Sequence, residues 1–175
     1  MKSIFYSIHI LIAMLLSSCS EGLAPPEPSL KKGPAFIKGT IMYKGGKDSW
    51  SLDTDSAFAI RAAAFTQFPL SDSAGIINEL LNGRAFISGF TSLPTYVDSS
   101  NFEIQIPEAP ATIKYIGIAK QVSVDLNAQK VVGIYTLSGD NTKPTQLEIQ
   151  PGDTIFIRII VDFASLPPQP FKGYI

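Results

Sequence analysis

Apolar and polar side chains alternate along most of this chain with a period of two. In 101-NFEIQIP-107, Phe102, Ile104 and Ile106 are separated by Glu103 and Gln105, the pattern of a strand with one buried and one wet face. The segment 145-TQLEIQP-151 repeats it with Leu147 and Ile149 inward. In 154-TIFIRIIVDF-163, Ile155, Ile157, Ile159, Val161 and Phe163 share one face, while Arg158 and Asp162 share the other; Arg158, like Arg61, is expected on a solvent face, paired with Asp162 or another carboxylate. Strand-like runs rich in β-branched and aromatic residues also occupy 36–43, 57–65, 85–90, 112–120 and 131–137. The alanines of 57-AFAIRAAAF-65 compete for helix, but Phe58, Ile60, Ala62 and Ala64 alternate around Arg61 and favour a strand. Turn residues separate many of these runs: Gly45-Gly46, Asn82-Gly83, Ser99-Ser100-Asn101, Ser138-Gly139-Asp140-Asn141 and Pro151-Gly152-Asp153.

About eight short strands, with no helix between successive ones to make parallel crossovers, predict an all-β fold. The rhythm suits an antiparallel β-sandwich of about seven or eight strands. At most one short helix is expected, near 73–81, where Ile76, Ile77, Leu80 and Leu81 form a stripe and Gly83 offers a C-cap. Three prolines in 166-LPPQPFKGYI-175 predict an extended strap leaving the sheet. Residues 20–34, SEGLAPPEPSLKKGP, have little to bury and read as a tether that is partly polyproline II. No repeat of fixed period is present. The expected organisation is a leader over 1–18, a Pro-rich tether over 19–35 and a single β domain over 36–175.

The leader is predicted from the order of its parts. Met1-Lys2-Ser3 carries one positive charge, 4-IFYSIHILIAMLL-16 is a thirteen-residue apolar run, and Ser17-Ser18 are small residues ahead of Cys19. That is the layout of a secretory signal peptide. The run falls short of the roughly 20 apolar residues a spanning helix needs. Leu16-Ser17-Ser18-Cys19 resembles the lipobox of bacterial lipoproteins, which implies cleavage before Cys19 and acylation of its thiol. Each buried methylene contributes about 0.8 kcal/mol, so two or three chains anchor a protein stably where one does not. The alternative is a lone free or buried thiol behind an ordinary signal peptide. Ser20, with no Asp after the cysteine, resembles the outer-membrane sorting pattern of such lipoproteins, and Ser20-Glu21 partly resembles surface-display signals. The cell envelope, at the outer membrane, is the expected location.

Removal of 18 residues leaves 157, the size of one domain, with 13 basic and 15 acidic side chains. A net charge near −2 gives no basic stripe for nucleic acid and no polybasic patch for anionic lipid. The only histidine, His9, lies in the leader, and the only cysteine would carry lipid. His-dependent triads, Cys-His catalysis and His/Cys zinc sites are therefore excluded by residue count. No cofactor is expected, and the chain reads as a non-enzyme.

The densest acidic cluster is 48-DSWSLDTDS-56, where Asp48, Asp53 and Asp55 offer hard oxygen ligands suited to calcium. The glycine and bidentate glutamate of an EF-hand loop are missing at the right spacing, and a solvated turn-forming loop explains the same residues. Trp50, the only tryptophan, either contacts a ligand from a loop or folds back to plug one end of the domain. Tyr96, in 91-TSLPTYVDSS-100, is a second aromatic of this kind.

The opening strand and turn, 36-FIKGTIMYKGG-46, resemble the start of carboxypeptidase-regulatory-like, or transthyretin-like, sandwich domains. Together with 131-VVGIYTLSGDN-141 and the Pro-rich end, they resemble small bacterial outer-membrane lipoproteins that carry such a domain. The resemblance implies an accessory or adhesive module. The hydrolases of that fold depend on histidines and a C-terminal tetrapeptide, both absent here. Three functions are weighed: a non-enzymatic binding or structural module contacting an envelope protein or polysaccharide, a carbohydrate-binding module using Trp50, and a carboxylate-based hydrolase.

Overall fold

The computed structural model describes residues 31–53, 57–70, 75–125 and 128–170. The leader, Cys19, most of the tether and Asp55 lie outside the described residues. The elements in chain order are β1 (Gly33–Tyr43), a 3-10 helix (Gly46–Leu52), β2 (Ala59–Phe65), α1 (Gly75–Leu81), β3 (Ala85–Ile87), β4 (Ser99–Ala109), β5 (Ala111–Ile113), β6 (Tyr115–Gln121), β7 (Gln129–Ile134), β8 (Leu147–Ile149) and β9 (Thr154–Val161). The fold is all-β. Seven strands form one sheet in the order β3-β2-β6-β7-β9-β1-β4, and β5 pairs with β8 in a separate ribbon. β2 and β3 return into contact with β4 at the far edge, so the sheet curls around its own core.

The alternation places the core. Ile37, Ile41, Ile60, Ile104, Ile106, Ile116, Ile118, Ile157 and Ile159 all face inward and are buried; each contributes roughly 1.5–3 kcal/mol relative to remaining exposed. Gly39 also faces inward, opposite Phe102 of β4. The Phe102 ring lies across it, and a Cβ there would stand 2.4 Å from the ring edge. Only glycine leaves room for that ring between β1 and β4. Pro107 is accommodated within β4 because β4 is a sheet edge, where a missing N–H breaks no ladder.

Several boundaries differ from the sequence pattern. β1 begins at Gly33, three residues early, because Ala35 is already buried and Pro34 accepts a hydrogen bond from the Gly152 amide (2.8 Å). The run 112–120 is two strands: the Lys114 amide donates to Phe65 (2.8 Å), marking where the chain passes from the β5–β8 ribbon to β2. Ser99, Ser100 and Asn101 are no turn but the start of β4, with the Thr40 hydroxyl donating to the Asn101 side chain (2.9 Å). The largest departure is that β1 and β9 run parallel, Phe36 through Tyr43 matching Thr154 through Val161, whereas every other pairing among the described residues is antiparallel. The two strands lie near opposite ends of the chain, so the whole intervening fold serves as the crossover. Arg158 and Asp162 do not pair. Asp162 accepts from Lys44 (2.7 Å), which holds its carboxyl below the usual range.

A second apolar layer covers part of the outer face. Ala63, Phe65, Tyr115, Val131 and Ile134 form it, with Leu80 of α1, Leu70 and Ala85. The strap closes this layer through Gln169, whose side-chain amide donates to the Val131 carbonyl (3.0 Å) and accepts from its N–H (2.8 Å), as a neighbouring strand would. Pro170 then accepts from the Leu70 amide (2.9 Å). Leu81, placed by the pattern on the packed stripe of the helix, is exposed instead, because the helix ends there. Gly83, at φ 65°, donates to the Leu80 carbonyl (3.1 Å), and Glu79 grips Arg84 with two hydrogen bonds of 2.7 and 2.8 Å.

Two predictions follow from this layer. The Tyr115 hydroxyl is buried without a hydrogen-bond partner among the described residues, and burial pushes its pKa well above the ordinary value. Deleting an unsatisfied buried hydroxyl removes its desolvation penalty, about 1–3 kcal/mol. Tyr115→Phe is therefore expected to match or exceed the wild type in urea unfolding; a loss above about 1 kcal/mol would reveal a partner for the hydroxyl. The bidentate Arg84 contact holds the Glu79 carboxyl below its usual pKa. A depressed carboxyl stabilises the fold above its unfolded pKa, near 4.5, and loses that contribution as pH falls through the folded value. Glu79→Gln should be less stable than wild type at pH 6 and lose less between pH 6 and pH 3. Parallel acid-side melting curves for the two proteins would contradict the assignment.

Candidate functional site

β1, β2, β4, β6, β7 and β9 begin or end at one end of the curled sheet, which carries residues 44–53, 57–58, 88–98, 122–125 and 128 of the connections between them. The first of these turns sharply through Gly45 (φ 90°) and Gly46 (φ 65°) into the 3-10 helix. Asp98 accepts from the Lys47 amide (2.7 Å), and a Cβ on Gly46 would stand 2.6 Å from that same carboxylate oxygen. The Ser49 hydroxyl donates to the Gly46 carbonyl (2.7 Å), and the Ser51 hydroxyl to that of Asp48 (2.8 Å). The helix thus carries its own hydrogen bonds and aims Trp50 inward.

Trp50 is 4% exposed. Its ring packs on Tyr43, Phe163 and Tyr96 at centroid distances of 4.6, 5.0 and 5.3 Å, and its Nε1–H donates to the Val97 carbonyl (3.1 Å). It plugs the end of the core, so its faces are not offered to a ligand. Tyr96 differs: it is 66% exposed and held at φ 56°, a left-handed conformation that a bulky side chain rarely adopts. Its ring lies on the outer side of Trp50. Of the two aromatics singled out in the sequence, Tyr96 is the one within reach of a partner.

Two of the three acidic candidates lie among the described residues, and these two have different surroundings. Asp48 is exposed, Asp53 forms an ion pair with Lys120, and Asp55 lies outside the described residues. Among the described residues no three His, Cys, Asp or Glu side chains stand close enough to hold a metal ion together. The Lys120 side chain is fully buried and that of Asp53 is 10% exposed. Asp53 thus neutralises a lysine buried under the loops, a task that competes with metal ligation. Sequence reasoning missed Lys120; the one signal was a lysine inside the otherwise apolar end of 112–120.

The loop 88–98 is stapled to β2 by alternating contacts. Amides of Ser88 and Leu93 donate to Ala62 and Ile60 carbonyls (2.9 and 2.8 Å), while Ser88 and Ser92 hydroxyls accept from the Ala62 and Ile60 amides (3.1 and 3.0 Å). Arg61 completes the staple. Its Nε and Nη2 donate to the Phe90 carbonyl (3.2 and 2.8 Å) and its Nη1 to the Gln121 side chain (3.0 Å). The guanidinium expected on a solvent face therefore orders a loop. The result is to present Phe90 at 87% exposure. Phe58, whose amide donates to Gln121 (2.8 Å), is also exposed, as are Leu52 and Val124 on the adjoining loops. Leu52, Phe58, Phe90, Tyr96 and Val124 are, among the described residues, the exposed large apolar side chains of the connections at this end, its apolar rim. The sequence had Phe90 in a strand; β3 stops at Ile87, two residues before Gly89 takes φ 114°.

No known family model, curated protein or solved structure matches the chain.

The buried ion pair yields a prediction. Removing a carboxylate from beside a buried lysine withdraws part of the compensation for its charge and costs stability. Asp53→Asn should therefore lower the unfolding free energy, and loosening of the adjacent 3-10 helix should raise Trp50 accessibility to acrylamide quenching. Unchanged stability and quenching would show that Asp53 does not hold Lys120 in place.

Proposed function

We propose that the mature chain is a lipid-anchored, non-enzymatic binding module of the cell envelope, held at the outer membrane through Cys19, and that the loop end of its β domain docks an envelope protein. The single observation that carries the docking is the apolar rim of Leu52, Phe58, Phe90, Tyr96 and Val124 on hydrogen-bonded loops, at the end of the strands opposite the entry of the chain at Gly33. Loops ordered before binding lose little entropy on contact, which favours recognition over mere exposure. Exposed aromatics are also the side chains that dominate protein interfaces. The lipid anchor rests on the Leu16–Cys19 resemblance, and the non-enzymatic reading on the loss of His9 with the leader and of the thiol to acylation. The curled sheet with its separate ribbon is compatible with a transthyretin-like sandwich.

A carbohydrate ligand is the second reading. With Trp50 covered, it rests on Tyr96 as the stacking surface. A carboxylate hydrolase has no support from the acidic loop, since Asp53 is committed to Lys120.

Photo-crosslinking from native membranes tests the proposal. With a benzophenone amino acid at position 90, a discrete protein adduct is expected; at position 108, at the far end of β4, none. Equal adducts at both positions, or none, would overturn the docking assignment. Cys19→Ala should move the protein to the soluble fraction, and retention in the membrane would remove the anchor. Glycan binding lost in Tyr96→Ala, without a protein adduct, would favour the second reading.

A further inference from the structure

A second candidate site lies away from the loop end, where the sheet itself is incomplete. The parallel ladder between β1 and β9 is bracketed by hydrogen bonds from Phe36 to Asp153 and from Lys44 to Val161, both 2.9 Å. Because alternate residues of such a strand turn both backbone groups to the same neighbour, odd-numbered residues from 153 to 161 face β1. Phe156, Arg158 and Ile160 therefore turn their N–H and C=O groups toward β7. β7 meets only the last of them: its register with β9 is Gly133 to Val161 and Ile134 to Ile160, and no further.

Beyond Ile134 the chain is drawn to the other side. The Tyr135 amide donates to Ile116 (2.9 Å), Thr145 donates to Tyr135 (3.0 Å), and the Leu137 amide donates to the Thr145 hydroxyl (2.9 Å). A cleft of about 770 Å³ opens between this departing segment and the first half of β9. Into it face the backbone groups of Phe156 and Arg158, with no backbone partner among the described residues. Phe156, Ile160 and Leu137 are exposed on its lining. Arg158 stands between the two apolar side chains of β9. The other two described arginines are held, Arg84 by Glu79 and Arg61 by Phe90 and Gln121. Arg158 has no carboxylate partner among the described residues, since Asp162 is taken by Lys44.

We propose that this cleft accepts an extended peptide strand of a partner protein, with a carboxylate side chain flanked at two-residue spacing by apolar ones. The peptide backbone pairs with Phe156 and Arg158, the carboxylate meets the Arg158 guanidinium, and the apolar side chains cover Phe156 and Leu137. Strand addition at an unfilled sheet position takes its affinity from main-chain hydrogen bonds and its selectivity from alternate side chains. A nearby unpaired guanidinium fixes the sign of the charge it selects. The site is independent of the loop-end rim.

The test uses mature full-length protein and the labelled probe acetyl-Val-Thr-Glu-Thr-Val-amide, read by fluorescence anisotropy and by hydrogen exchange. Saturable binding is expected below about 1 mM, weakened about tenfold by Arg158→Glu and by Lys in place of the probe's Glu. N-methylation of the probe's central amides should abolish binding, and the Phe156 and Arg158 amides should gain protection when the unmodified probe binds. Absence of saturation, or equal binding by the charge-reversed and N-methylated probes, would overturn the proposal. So would slow exchange of those two amides in the protein alone, which would mean that this chain or a second copy already fills the cleft.

Discussion

The parallel register of β1 on β9 is the constraint on which the rest of the molecule depends. It joins the first strand of the domain to the last, while the other edge of β1 sets Gly39 against the Phe102 ring of β4. It also decides which backbone groups of β9 are spent on β1 and which are left for β7. A shift of one residue would turn Ile157 and Ile159 to solvent and bring Phe156 and Arg158 into the core, which no single-charge compensation could offset. Because the core fixes the faces, the register fixes the open edge as well. The cleft beside β9 is a geometric consequence of how the core closes.

That logic explains what was legible in the sequence and what was not. Period-two alternation identified β4, β8 and β9 and tipped 57–65 to strand, while β1, β3, β6 and β7 were legible from their β-branched and aromatic content, both being local signals. The helix over 75–81 and its Gly83 cap were legible from a local stripe and turn residue as well. Direction and partner are not local properties. Nothing within 36-FIKGTIMY-43 or 154-TIFIRIIVDF-163 distinguishes a parallel neighbour from an antiparallel one. The charged side chains were harder still. Arg158 and Asp162 share a face at plausible spacing, yet Lys44, remote in sequence, takes the carboxylate. Lys120 sits in a strand like any other residue until Asp53 arrives from a loop 67 positions away.

The outer face shows how unevenly the chain is covered. Over β2, β6 and β7 a second layer is complete: α1 and the strap bury Phe65, Tyr115 and Ile134, and Gln169 substitutes for the strand that β7 lacks at Val131. Over β9, β1 and β4 no such layer exists among the described residues, and Phe156, Ile160 and Met42 remain exposed. The polar positions of that half are tied in pairs across the strands, Lys38 to Glu103 and Thr40 to Asn101. Exposed ion pairs of this kind contribute at most about 1 kcal/mol each. They keep the face soluble and in register without closing it, so the same surface carries both solvated pairs and uncovered apolar side chains.

The loop end reflects a different balance. Its order comes from polar groups that the strands alone would leave unsatisfied: Ser88 and Ser92 take up β2 amides, Arg61 takes up the Phe90 carbonyl, and Asp98 takes up the Lys47 amide. Each contributes roughly 0.5–1.5 kcal/mol, and together they hold Phe90 and Tyr96 away from the core that would otherwise bury them. Tyr96 in a left-handed conformation and Phe90 almost fully in water are both unfavourable for the isolated domain. A fold optimised only for stability would turn these rings inward, as it does Trp50. Polar groups thus fix apolar side chains outward at this end, and the proposed docking rests on that arrangement.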